Sequence, residues 1–111
     1  MVLQKSDVLQ GTLDLLVLKT LDTIGPMHGY AIARRLQQVS HDWLQFNQGS
    51  LYPALLRLQK RRWVTSQWGI TENNRKAKYY SVTKTGKTHL LQEAESWDRM
   101  AAFIQSVLQG S

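Results

Sequence analysis

The sequence predicts a mainly α-helical chain with a single small β-hairpin. Three observations carry that reading. Four segments place apolar residues at helical spacing. One stretch, from Val64 to Thr83, is instead rich in β-branched and aromatic residues around an Asn73-Asn74 pair. The final segment repeats apolar residues at alternating intervals of four and three, as a long packing helix does. With 111 residues and 42% hydrophobic content, the chain can build one domain with a core.

The first helix is expected from about Asp7 to Thr23, with Ser6 as N-cap and Gly25-Pro26 as the stop. Val8, Leu9, Leu13, Leu15, Leu16, Val17, Leu18 and Leu21 cover more than one of its faces. A helix apolar nearly all round must be covered on two sides, and in so small a domain the second cover is expected to be another subunit. The second helix is expected from about His28 to Val39, with Ile32, Leu36 and Val39 on its inner face. A polar connection from Ser40 to Gly49 follows, with Trp43, Leu44 and Phe46 as its anchors.

The third helix is expected to start at Ser50 as N-cap, which puts Pro53 in the first turn. Leu51, Leu55 and Leu58 face inward, and Leu56 is expected to broaden that face. The hairpin strands are expected at Val64–Thr71 and Ala77–Thr83, with Asn73-Asn74 as the tip. Thr83 then caps a last helix from about Lys84 to Leu108. Its seam is Leu90, Ala94, Trp97, Ala101, Ile104 and Leu108. At about 1.5 Å per residue such a helix is roughly 37 Å long, more than a small body can cover. A homodimer is therefore expected, with Leu13 of the first helix and the seam residues at the interface.

The order helix, helix, helix, hairpin, helix is that of a winged helix-turn-helix plus a long C-terminal dimerisation helix. Residues 1–83 are read as the winged DNA-binding part and residues 84–111 as the dimerisation helix of one compact unit. Charge agrees. The formal net charge is +6, and Arg57, Lys60, Arg61, Arg62, Arg75, Lys76, Lys78, Lys84 and Lys87 crowd one stretch opposed only by Glu72. Double-stranded DNA is the expected partner, since such cations displace counterions from phosphates. A solvated basic face that only keeps the chain soluble is the plain alternative.

The fold assigns the candidates. Gln48, Ser50, Tyr52, Arg57 and Lys60 are expected at the DNA from the third helix, and Asn73, Arg75 and Lys76 from the wing tip. Ser50 as a cap and Tyr52 as cover for the core edge are the structural alternatives. Lys78 is read as bracing a sheet edge.

Other chemistry is argued against. There is no cysteine, so disulfides, thiolate metal sites and thiol nucleophiles are excluded. His28, His41 and His89 are far apart and have no pattern of metal ligands. No phosphate-cradling glycine loop or nucleophile elbow occurs, so neither an enzyme nor a cofactor is expected. No signal peptide or membrane span is read, and the cytoplasm is the expected compartment. A winged-helix module that binds protein and not DNA is the competing function.

Four segments also carry a resemblance. They are Leu9-Gln10-Gly11-Thr12-Leu13-Asp14-Leu15-Leu16-Val17-Leu18; His28-Gly29-Tyr30-Ala31-Ile32-Ala33; Gln48-Gly49-Ser50-Leu51-Tyr52-Pro53-Ala54-Leu55-Leu56-Arg57-Leu58; and Arg75-Lys76-Ala77-Lys78-Tyr79-Tyr80-Ser81-Val82-Thr83-Lys84-Thr85-Gly86. In this order they resemble the PadR family of bacterial transcriptional regulators, in its short branch with one C-terminal helix. The resemblance implies a dimeric repressor on a pseudo-palindromic operator, its last helix exchanging contacts with the partner's first. In some relatives aromatic residues on this helix line an interface pocket for flat aromatic compounds, which makes Trp97 the candidate for a small aromatic effector. One departure stands out. The family commonly has glycine near the position of Arg62, so either the third helix continues further here or Arg62 is strained in a left-handed turn.

Overall fold

The structure is a computed structural model that describes residues 5–44, 46 and 48–110, with side chains from residue 11 onward except that of Gln48. The expected cap at Ser6 and the apolar Val8 and Leu9 rest on side chains outside the described residues. The element order is α1 (Lys5–Ile24), β1 (Met27–His28), α2 (Gly29–Val39), α3 (Gln48–Lys60), β2 (Val64–Ile70), β3 (Lys76–Val82) and α4 (Lys84–Leu108). The predicted helices and hairpin are all present. None of the described helices is long and apolar enough to cross a membrane.

The core collects one face of each element. Val17, Leu18 and Leu21 of α1 meet Ile32 and Leu36 of α2, Leu51, Leu55 and Leu58 of α3, Val64 of β2 and Tyr80 of β3. Each fully buried aliphatic side chain contributes about 1.5–3 kcal/mol. Leu13 and Leu90, expected at a subunit interface, are buried inside the protomer at 6% and 4% exposure. This corrects their assignment, because an apolar spacing does not say which chain covers it. Of the loop anchors, Phe46 is buried and Leu44 half-buried, but Trp43 is 74% exposed and lies outside the core.

Four further expectations are corrected. The sheet has a third strand, the two-residue β1, in the order β1-β3-β2. Met27 pairs with Tyr80 and His28 with Tyr79, so β3 is the central strand rather than an edge. His28 is consequently not the first residue of α2 but its N-cap, its Nδ1 accepting from the Ala31 N–H at 3.3 Å. Helix α3 begins at Gln48, so Ser50 is not its N-cap and Pro53 lies inside the helix. Finally, Leu56 is 51% exposed on the outer face of α3.

The end of α3 explains Arg62. Trp63 N–H donates to the Leu58 carbonyl at 3.0 Å and Arg62 N–H to the Gln59 carbonyl at 3.0 Å. These are the paired bonds of a Schellman motif, whose penultimate residue must turn left-handed. Arg62 does so, with φ 62°. The strain expected from the missing glycine is therefore real. The wing tip follows the three-residue hairpin pattern: Asn74 N–H donates to the Thr71 carbonyl at 2.9 Å, and Asn74 takes φ 60°. Helix α4 starts as expected, with the Gly86 N–H donating to Thr83 Oγ1 at 3.0 Å.

Candidate nucleic-acid interface

The outer face of α3, the N-terminal half of α2 and the inner face of the wing enclose an open groove of about 710 Å³. Helical geometry places Tyr52, Leu56 and Lys60 on that outer face, because residues four apart stack along it. Tyr52 is 48% exposed and lines the groove, and Lys60 is exposed. The wing contributes Asn73, Arg75, Lys76 and Lys78, and α2 contributes Arg34. Glu72 is the only acid among the described residues that line it. The field in the groove is thus positive, and it lies where α3 can enter a major groove while the wing reaches the flanking backbone.

Tyr52 is held as well as exposed. Its partner is Tyr80, whose phenol pKa is raised first by burial and then by the neighbouring, hydrogen-bonded Tyr52. The link ties the first turns of α3 to the central strand.

Arg57 is turned elsewhere. Its Nη2 donates to Asp14 Oδ1 at 2.7 Å and its Nε to Asp14 Oδ2 at 3.1 Å. This is a bidentate fork onto the carboxylate of a 7% exposed residue of α1. The hydrogen bond to Asp14 raises the Arg57 pKa, against the opposing effect of burial. Arg61 Nη1 stands 4.0 Å from the same carboxylate, and its guanidinium lies 5.1 Å from the Trp63 ring, which stacks on His89 of α4. The basic turn at the end of α3 therefore fastens α3 to α1 and α4. A bidentate pair is unavailable to phosphate unless it opens, so Arg57 is reassigned from DNA contact to helix–helix contact.

The remaining candidates divide plainly. Ser50 is half-buried near the start of α3 and hydrogen-bonded or otherwise engaged. Gln48 opens α3, and its side chain lies outside the described residues. Lys87 leans toward Asp22 of α1 at 3.8 Å, away from the groove. Arg34 and Tyr30 were missed. They sit four apart on the polar side of α2, a spacing that marks a shared face once the wing is known to lie opposite.

A second surface is apolar. Along α4, Leu91, Trp97, Met100, Phe103, Ile104, Val107 and Leu108 are between 43% and 79% exposed. Ala94 and Ala101 are half-buried on either side of Trp97. The helix has 25 residues and accounts for the elongated shape, 54 Å in its longest extent.

Comparison with known proteins agrees with this architecture. Residues 17–92 match the family described as the transcriptional regulator PadR-like family. The chain is similar to the solved structure of a transcriptional regulator from Clostridium thermocellum, with TM-score 0.81 and 27% identity over 90% of this chain and 96% of that one. It is also similar to a PadR-like transcriptional regulator from Bacillus cereus, with TM-score 0.78 and 27% identity over 93% of this chain and 97% of that one. An uncharacterised protein of Lysinibacillus sphaericus is 26% identical over 106 residues, 96% of each chain.

Proposed function

Because the chain belongs to the PadR-like family of transcriptional regulators, DNA-binding and not enzymes, we propose that it is a homodimeric repressor of a pseudo-palindromic operator. The observation that carries this reading is the positive groove between α3 and the wing, with Tyr52 and Arg34 on one side and Arg75 and Lys76 on the other, while Lys60 is exposed farther along α3. In this proposal Gln48, Ser50, Tyr52 and Lys60 meet the major groove, while Asn73, Arg75 and Lys76 meet the adjoining backbone or minor groove.

The exposed apolar face of α4 supports the dimer. Trp97, Ala101, Ile104 and Leu108 form its seam, and two copies would set two α3 helices about one DNA turn, roughly 34–36 Å, apart. A small aromatic effector fits the same face. Trp97 is 46% exposed, and the neighbouring alanines leave room beside its ring. Effector binding there would loosen DNA by coupling two sites through the dimer.

The test is selection of duplexes from a random-sequence library, followed by footprinting, sedimentation and a reporter assay. The expected outcome is a two-fold symmetric site, a dimeric mass and lowered transcription from a promoter that carries the site. Selection of no duplex, or a monomer on an asymmetric site, would overturn the proposal. Quenching of tryptophan fluorescence by planar aromatics, lost in Trp97→Ala, tests the effector pocket.

A further inference from the structure

The inner face of the wing changes character along its length. At the root, Val64 and Tyr80 of this face are buried in the core. Toward the tip the same face continues as Trp68, opposite Lys78, and Ile70, opposite Lys76, since paired and alternate residues share a face. Trp68 is 65% exposed, although it lines the groove. Its ring has the Lys78 ammonium over it, with Nζ 5.5 Å from the ring centroid. A large aromatic held in the open beside a cation gains little from water. It suits a surface that alternates apolar and anionic groups at short range.

We propose that Trp68 is a non-ionic DNA contact of the wing. Its indole packs on a deoxyribose of the duplex backbone, and Lys78, steadied over the ring, meets the adjacent phosphate. Charge complementarity selects this occupant, because Lys78 lies over the indole and Arg75 and Lys76 line the same groove as it does. The cation–π geometry gives Lys78 a role beyond bracing the sheet: it orders a flexible side chain before DNA arrives, which reduces the ordering cost on binding. The inference rests on the DNA-facing reading of the groove.

The two halves of the contact differ in salt dependence. An indole on a sugar releases no counterions, whereas each neutralised phosphate contributes about −0.9 to the slope of log affinity against log salt. The experiment is anisotropy of a labelled, library-selected duplex with the full chain at three salt concentrations. Trp68→Ala is expected to weaken binding about tenfold at every salt with an unchanged slope. Trp68→Phe should recover most of the loss, and Lys78→Ala, which removes one phosphate contact from each protomer of the dimer, should flatten the slope by about 1.8. Melting temperatures of the variants should stay close to the parent's, since Trp68 is exposed, and the Trp68→Phe recovery keeps the comparison valid if they do not. Unchanged affinity in Trp68→Ala overturns the inference and leaves the groove reading intact. A changed mass on sedimentation overturns it in favour of contact between copies. Failure of the parent chain to bind any duplex overturns both readings.

Discussion

The last turn of α3 and the tip of the wing are both rich in arginine and lysine, yet the structure puts them to opposite uses. At the end of α3, Arg57 is 28% exposed and forked onto Asp14, and Arg61 is drawn toward the same carboxylate. At the wing tip, Arg75 and Lys76 are exposed and make no ion pair among the described residues. The difference lies in the acid. Asp14 is buried on α1 and needs compensation, because an unpaired buried carboxylate is costly. Glu72 is exposed at the tip and demands none. Equal charge in the sequence thus becomes a fastening in one place and a free electrostatic surface in the other.

The fastened region should be the fragile one. The largest expected effect is Gly86→Ala. A Cβ there would collide with the Trp63 carbonyl, which is backbone and cannot step aside. We expect a loss of about 3 kcal/mol in denaturant unfolding, the upper range for overpacking. Asp14→Ala should cost about 2 kcal/mol by leaving Arg57 half-buried without its partner, while the salt slope of DNA binding stays unchanged. A steeper slope in that variant, or a flattened one in Arg57→Ala, would break the contrast, since either would mean that Arg57 reaches phosphate. Lys76→Ala should do the reverse. Stability should move by less than about 0.5 kcal/mol, and the salt slope should flatten by about 1.8, one contact being lost from each protomer of the dimer.

Two smaller effects sharpen the picture. Arg62→Gly removes the left-handed strain at the end of α3 and should stabilise by roughly 0.5–1 kcal/mol, net of glycine's greater freedom when unfolded. The last concerns pH. The Tyr80 pKa is raised above its ordinary 10.0 in the folded chain, so the unfolded chain ionises first. Its contribution is complete below pH 10.0 and is lost as pH rises through the folded value. Chemical denaturation between pH 9 and 11 should show this decline in the parent and a shallower one in Tyr80→Phe.

Local rules made much of the fold legible. Thr83 caps α4 because a threonine followed by a helical run offers its hydroxyl to the first free N–H groups. The wing turn was visible in Asn73-Asn74, and the strain at Arg62 in the absence of glycine. Features that depend on distant parts of the chain were not. Asp14 and Arg57 are separated by 43 residues, and no periodicity links them. Strand β1 has two residues and exists only because Tyr79 and Tyr80 offer it a ladder. Leu13 and Leu90 read as interface because apolar spacing is the same whether the cover comes from this chain or another. The start of α3 was misplaced because Ser50 makes a persuasive cap by composition, whereas the helix begins two residues earlier, at Gln48. Of the residues that line the groove, Tyr52, Asn73, Arg75 and Lys76 were singled out from the sequence, while Arg34 and Trp68 needed the wing's position relative to α2.

Thr83 is more than the cap of α4. Its Oγ1 donates to the Arg62 carbonyl at 2.7 Å, its backbone N–H donates to the Trp63 carbonyl at 2.9 Å, and its hydroxyl receives the Gly86 N–H. The residue where the wing ends is thereby latched to the residues where the wing begins. In mechanical terms the wing is a closed loop clamped at its neck, and α4 is the shaft fixed in the clamp. A torque applied along the shaft is delivered to the neck without a free joint between them.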